Sequence, residues 1–538
     1  MINVTFLAYI PDPFAVQILH YMVHEPKNEI RQLSALEVSN YDAPILTFDV
    51  AALVDDLRRQ NLLPPKHILD IAECLRLLVA RSRDDGGERL WNIWPQLIHY
   101  FQSKVDGDAF QRIVESKTIR PNASEQRRLL TEALMALRLL WDDLKVKLRS
   151  VGELERLTSV EWPLQGIFAY RQFAGIRVNA AVARDYLDEI RAKKYESYRE
   201  VAQILNHGPT GLNFWNIHPY LEQTDVSHLV EFNRGGQLQD AFELAAANSP
   251  FASSFLSLVK ASRDESIVKR AIGDVERVYP IFHVFGTITG RILVSDPYLQ
   301  QLRRDYRTLI APDPNLRIVY LDYAQFEPGV LAGLSDDKHL TAAYNDGDIY
   351  IALAQSLFKD PSARPMAKRV FLAFSYGMTP DRIASILVGS TNLQSNRNAY
   401  KTTLNAFFEN FSMLENYRIK QQQELLENNF VCSLFGNRRL RTGTGMLTLK
   451  EQRWAMNHPV QSTASLIFKQ ALLGISEEIG VDSIILPIHD AVLLQLPDDR
   501  NFDRTLNGVE EIMISAFRRH FPKIDARVTV ENFCSDSL

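Results

Sequence analysis

The chain is nearly free of cysteine: Cys74, Cys432 and Cys534 are the only three in 538 residues. They are odd in number, far apart and form no CxxC pair. That excludes a disulfide framework and a cysteine-built zinc site, and it points to a reducing compartment. Long hydrophobic runs are also missing. No apolar stretch approaches the roughly 18 residues of a membrane span. The N-terminal MINVTFLAYIPDP has no basic segment and is stopped by Pro11, so it reads as a strand rather than a signal peptide. Neither sign of charge dominates, since 60 Lys and Arg face 65 Asp and Glu for a net charge of −5. This argues against a basic coat protein, but a local basic groove can sit on an acidic whole, so the total is silent about nucleic acid. The expectation is a soluble cytoplasmic protein without a membrane partner, bacterial or carried by a phage or plasmid, with an organelle as the other option.

What is present is a globular composition, 46% hydrophobic and 23% charged, without internal repeats or low-complexity tracts. At roughly 150 residues per domain the length suggests three or four domains. Short apolar runs (Val4 to Ile10, Pro44 to Phe48) alternate with helical stretches such as Ala51 to Arg59, which predicts a mixed α/β N-terminal domain. A helical pattern from Glu125 to Leu148 leads through Glu161-Trp162-Pro163 into a region of helix-period segments, Ala180 to Ile204 and Leu238 to Arg277. The latter carries Lys260, Arg263, Lys269 and Arg270, either a solvated face or a phosphate-tracking one.

From Tyr279 onward, strands alternate with long helices. LRIVYL (Leu316 to Leu321) reads as a buried strand with Asp322 at its carboxyl end. SIILPI (Ser483 to Ile488) and AVLLQL (Ala491 to Leu496) are separated only by His489-Asp490, the signature of a tight hairpin. Either acid alone would be an ordinary turn former or helix cap. Two acids at the ends of adjacent buried strands repel, and a pair of divalent ions resolves that repulsion while serving phosphoryl transfer. Between them, Arg364, Lys368, Leu372 and Tyr376 recur every four residues. Each such step advances about 40° round a helix, so they form one slanting stripe. Its cationic end suits a triphosphate and its apolar, aromatic end a base, whereas Phe371 and Phe374 lie off it and belong to the core.

At this point the chain resembles a known family. DYAQFE (Asp322 to Glu327), RPMAK with SYG (Arg364 to Lys368, Ser375 to Gly377) and PIHD (Pro487 to Asp490) look like motifs A, B and C of family A DNA polymerases, the group of bacterial DNA polymerase I. TGRILVSDPYLQ (Thr289 to Gln300), LFGNRR (Leu434 to Arg439) and RWAMNHPVQSTA (Arg453 to Ala464) extend the match in the family's order. The resemblance implies an α+β multidomain architecture: a right-hand polymerase fold of palm, fingers and thumb, preceded by a mixed α/β 3′–5′ exonuclease-like domain. The implied division is 1–160 exonuclease-like, 161–278 thumb, 279–345 palm, 346–430 fingers and 431–538 palm.

The implied reaction is attack of a DNA primer 3′-hydroxyl on the α-phosphate of a dNTP, assisted by two Mg²⁺ ions for which Mn²⁺ can substitute. Asp322, Asp490 and the backbone carbonyl of Tyr323 would bind the metals. Arg364 and Lys368 would hold the phosphates, with Lys368 also neutralising developing charge. Leu372, Tyr376, Gln325 and Glu327 would surround the nucleotide, Glu327 as a steric gate against a 2′-hydroxyl and partnered by Tyr376. Arg291, Gln300, Arg453, Gln461 and His489 would meet the primer–template duplex. A monomer is expected. Departures from the family pattern are Ala491 after the motif C Asp, Leu372 where Phe or Tyr is usual, Pro328-Gly329 after the gate Glu, and Tyr298 where Asn is frequent.

The stretch Pro44 to Leu78 loosely resembles the middle of the family's exonuclease domain and sets Asp49 and Asp70 near its acidic positions. Asp-x-Glu before Asp49 and Tyr-x-x-x-Asp between residues 100 and 150 are missing, so an exonuclease-like fold without activity is expected. The stretch before residue 161 is also too short for a 5′ nuclease domain. Two rival readings stay open: an RNA polymerase or reverse transcriptase, and a catalytically silent DNA-binding scaffold.

Overall fold

The computed structural model describes residues 4–10, 20–24, 29–82, 90–116, 121–208, 210–231, 236–246, 249–271, 276–391, 397–531 and 533. Pro11 and Cys534 lie outside them. Strand β1 (Thr5–Ile10) is apolar and buried along its whole length, as a strand covered on both faces must be. It is the centre of a mixed sheet with β2 (His20–His24), β3 (Ile30–Leu33), β4 (Ile45–Thr47) and β5 (Ile68–Asp70), in the order β3-β2-β1-β4-β5. The β1–β2 and β2–β3 pairs are antiparallel, and β1–β4 and β4–β5 are parallel. The helix Ala123–Ser150 packs on this sheet through Leu130, Leu134, Leu137 and Trp141, one stripe at helical spacing. The mixed α/β expectation for this part of the chain is met.

The Glu161-Trp162-Pro163 segment joins the two regions as packed structure. Helix Trp162–Ala174 begins there and turns Trp162 and Ala169 toward the N-terminal core while Leu164 and Phe168 enter the larger core that follows. Glu161 is buried at 1% exposure. Its Oε1 accepts hydrogen bonds from Arg156 Nε (3.1 Å) and Nη2 (3.0 Å), and its Oε2 from Lys469 Nζ (2.7 Å). Both cations flank the Phe285 ring, at 5.5 and 5.3 Å from its centroid. Phe285 N in turn donates to Glu73 Oε2 at 3.1 Å. Burial lowers the Lys469 ammonium to about 8 against the pull of Glu161.

Helix Ala180–Ile204 has the bounds its sequence pattern predicts and lies against helix Pro250–Ala271, with Phe214, Phe242, Phe251 and Phe255 in a separate apolar cluster. The helix-period segments expected from Leu238 to Arg277 are two helices and the start of a strand. Helix Gly236–Ala245 stops, a second starts at Pro250, and Arg277 lies in a strand. Pro250 favours the first position of a new helix over the interior of an old one. Short ribbons follow: β6 (Ile176–Arg177) with β7 (Arg277–Val278), and β8 (Ile281–His283) with β9 (Leu293–Ser295).

The second principal sheet is fully antiparallel. Its β10 (Leu316–Tyr323) lies between β14 (Ala491–Pro497) and β15 (Val528–Glu531), with β13 (Ile484–Ile488) outside β14. The hairpin β11 (Phe430–Ser433) and β12 (Gly436–Leu440) leans on the long helix Leu449–Ile479. One face of β10 is core: Tyr323 stacks on Phe326 at 4.2 Å and donates its hydroxyl to Met513 O at 2.7 Å. The opposite face carries buried Tyr320 and then half-buried Asp322. Among the helices between β10 and β11, Arg364–Ser375 is anchored by buried Ala367, Val370 and Phe371 and by Phe374 stacked on Phe408 at 3.5 Å. Phe371 and Phe374 are core residues, as their position off the stripe predicts. Buried Asp337 starts two helices at once: Oδ1 accepts from His339 and Leu340 N–H, and Oδ2 from Met413 and Leu414 N–H.

Candidate functional site

The two sequence-distant acids meet at the end of this second sheet. Strand β10 runs two residues further than the apolar run suggests, so Asp322 is within it and pairs directly opposite Ala491 and Thr529. Asp490 follows His489 in the two-residue turn between β13 and β14. That turn holds because His489 adopts φ +57, a left-handed conformation. Burial, then the neighbouring Asp490 and Glu531, push the Asp322 carboxyl up to about 6, while Lys368 opposes them. Glu531 on β15 is a third acid, tethered to Arg304 at 2.5 Å. The motif reading missed it because its place beside Asp322 depends on a strand more than 200 residues away.

Arg291 links the acids. Its Nη2 donates to Glu327 Oε1 at 2.7 Å and lies 3.8 Å from Asp490 Oδ1. Burial raises the Glu327 carboxyl and Asp490 adds to it, while Arg291 and Lys368 draw it back. The expected Glu327–Tyr376 partnership is therefore corrected. A desolvated carboxylate takes the cation, and the Tyr376 hydroxyl is buried with no partner among the described residues. His489 is exposed at the turn, its imidazole held below the ordinary range by surrounding protein bulk and by Arg291 and Arg307.

Arg364, Lys368 and Leu372 lie along helix Arg364–Ser375, and Tyr376 is its C-cap. The stripe is half-exposed to exposed, with Lys368 open to solvent. Arg364 is fixed by Asp348, whose Oδ2 receives Nε and Nη2 at 2.7 Å each. Asp348 also caps helix Ile349–Phe358 through Oδ1. The Asp-then-apolar pattern signals a cap, but its pairing with Arg364 needs the tertiary fold.

Two glutamines are used differently from expectation. Gln300 donates from Nε2 to Ile292 O (3.1 Å) and Pro487 O (2.7 Å) and accepts from Val294 N–H (3.0 Å). Gln325 donates to Gly347 O (3.3 Å) and accepts from Ile349 N–H (3.0 Å). Their amides are committed to backbone, and both residues fix loops around the acids. Arg453 and Gln461 lie on helix Leu449–Ile479, half-exposed.

In the N-terminal sheet, Asp49 accepts from Ala52 N–H (3.1 Å), and Asp70 accepts from Val50 (3.0 Å) and Ala72 (2.9 Å) N–H. Both acids are helix caps beside a cavity of about 280 Å³ closed by helix Trp162–Ala174. Burial brings Asp70 up to about 6.

The family model for DNA polymerase family A matches residues 242–533, more than half of the chain. This chain belongs to the family A DNA polymerases. The DNA polymerase I of Caldicellulosiruptor bescii is 24% identical over 396 residues, which are 68% of this chain and 46% of that protein. That of Thermus aquaticus is 27% identical over 410 residues, 70% and 47% of the respective chains. The chain thus spans about half the length of the curated relatives it matches. Among solved structures, the POL domain of Pol1 from M. smegmatis, in complex with DNA primer-template and dNTP, superposes with a TM-score of 0.72 at 17% identity, covering 98% of this chain and 94% of that one. The right-hand polymerase architecture expected from the motifs is therefore the fold of this family A member.

The donor set around Asp322 and Asp490 suits the divalent metals that the family implies. Asp322 and Asp490 are hard oxygen donors whose repulsion a cation would relieve. Among the described residues, no group of three or more His, Cys, Asp or Glu has metal-binding geometry. Two protein carboxylates plus substrate phosphates are nonetheless a common magnesium environment. No helix among the described residues is long and apolar enough to cross a membrane.

Proposed function

We propose that this chain is a template-directed DNA polymerase that adds dNMPs to a DNA primer 3′-hydroxyl, releases pyrophosphate and does not proofread. The observation that carries the reading is the convergence of Asp322 and Asp490 under a cationic helix, with Lys368 acting electrostatically on both Asp322 and Glu327. Asp322, Asp490 and the Tyr323 carbonyl would hold two Mg²⁺, or Mn²⁺, which supply charge stabilisation to the attacking and leaving oxygens.

The chain's own side chains do the rest. Arg364 and Lys368 receive the triphosphate and balance charge developing on the leaving group. Leu372 and Tyr376 border the base and sugar, and Glu327 fills the space a ribose 2′-hydroxyl would need. Arg291, Arg453, Gln461 and His489 face the duplex, Arg291 after leaving Glu327. Gln300 and Gln325 act by keeping the loops around Asp490 and Asp348 in place. The division 1–160, 161–278, 279–345, 346–430 and 431–538 into exonuclease-like domain, thumb, palm, fingers and palm is proposed on the same basis, with a cytoplasmic monomer as the working form.

The missing nuclease activity is supported by the employment of Asp49 and Asp70 as helix caps. Extension of a labelled primer with dNTPs, in parallel with rNTPs and with Asp490→Asn, tests the reading. Extension by the parent with dNTPs alone is expected. No extension despite tight duplex binding would refute it.

A further inference from the structure

The loop leading to Arg291 is gripped from the N-terminal side of the molecule. Phe285, just before that loop, is fully buried. Its backbone N–H donates to Glu73 Oε2 at 3.1 Å, and its carbonyl accepts from Arg76 Nη1 at 3.4 Å. Glu73 and Arg76, paired at 2.9 Å, lie one turn apart on helix Ile71–Val79, which Asp70 caps at the end of β5. The two side chains thus clasp both backbone polar groups of one residue far along the chain. The Phe285 ring is held as well, between Arg156 and Lys469.

From Phe285 the constraint runs to Arg291 through the next few residues. Gly286 N–H donates to Arg291 O at 3.0 Å, and Arg291 N–H donates to Thr287 Oγ1 at 3.0 Å. Gly290, at φ +78, has no room for a side chain: a Cβ there would lie 2.9 Å from Arg156 Nη2 and 3.1 Å from Phe285 Cε2. Both backbone groups of Arg291 are therefore tied to the two residues that follow Phe285, while its guanidinium bonds Glu327 and approaches Asp490. A displaced Phe285 displaces the guanidinium. We infer that Glu73 is a positioning residue for DNA synthesis, which sets the place of Arg291 beside the acids from the far side of the junction with the N-terminal sheet. The N-terminal region then serves polymerisation without a nuclease site of its own. This inference rests on the polymerase reading above and extends it to a residue outside every polymerase motif.

The test is a double-mutant cycle on Glu73 and Arg291, read by single-turnover incorporation of one dNMP into a DNA primer–template with Mg²⁺. Glu73→Ala should lower the maximal rate about tenfold, with the apparent dNTP Kd and the primer–template Kd within about twofold of the parent. In an Arg291→Ala background the same substitution should cost less than about twofold, because the side chain it positions is gone. Glu73→Gln keeps an acceptor for the Phe285 N–H and should restore the rate to within about threefold of the parent. If Glu73→Ala does not fold, Glu73→Asp withdraws the carboxylate by one methylene and takes its place in the cycle. An equal loss in both backgrounds would overturn the inference, since it signals a structural role alone. An unchanged rate in the parent background would overturn it too. If the unmodified chain binds the duplex but extends no primer, the polymerase reading fails first. A parent that extends normally, beside either overturning result, confines the failure to Glu73.

Discussion

At the residue scale, Asp490 sits where one methyl-sized neighbour, Ala491, is all that separates it from the strand opposite Asp322. Asp490→Asn should lower dNMP incorporation by about 10³-fold or more while leaving duplex affinity nearly intact, as steady-state kinetics and gel shifts would show. Glu327→Ala should reduce discrimination between dNTP and rNTP at least about tenfold, measured as a ratio of kcat/KM, by opening the space that the carboxylate occupies. A pH effect follows from His458, which donates Nε2–H to Asn437 O at 2.7 Å and is brought to about 3 by burial. The folded protein keeps this imidazole neutral where the unfolded chain protonates it, so His458 makes stability fall as pH drops from about 6.5 toward about 3. His458→Gln should flatten the urea-midpoint profile over that window. The acids and cations of the site were legible in the sequence because each falls in a short motif. The partner of Glu327 and the third acid Glu531 were not, since each depends on residues brought together only by the fold.

At the element scale, helix Trp162–Ala174 approaches the N-terminal sheet so closely that a Cβ on Gly166 would come within 2.1 Å of Lys66 O. Backbone cannot step aside as a side chain can. Gly166→Ala should cost about 1–3 kcal/mol or more, read as a lowered thermal midpoint. Lys469→Met, in the long helix that also bears Arg453 and Gln461, leaves Glu161 with one cation in a dry site and should cost about 3–5 kcal/mol. Helix Ala180–Ile204 and the β13–β14 hairpin were readable from periodicity and from a two-residue polar break. The new helix start at Pro250 has its own sequence signal, Ser249 before a proline, and Ser249 Oγ accepts from Ala252 N–H at 3.0 Å.

At the scale of the whole molecule, a net charge of −5 coexists with cations at the proposed site, Arg291, Arg364, Lys368 and Arg453, none of them fully buried. Primer–template affinity should fall steeply and linearly with salt on logarithmic axes, whatever the duplex sequence. The fold class was legible from six motifs in order, but the packing of the seam between the N-terminal sheet and the rest was not, since it joins residues far apart in the sequence. Buried Glu161, Glu73 and Phe285 join the two sides there. That seam limits how the protein can be recombined. A chimera that replaces residues 1–160 with a nuclease-competent domain would sever Arg156 from Glu161 and strip one face of helix Trp162–Ala174. A successful graft must carry that helix, and the surfaces it seals on both sides, as part of the transplanted unit.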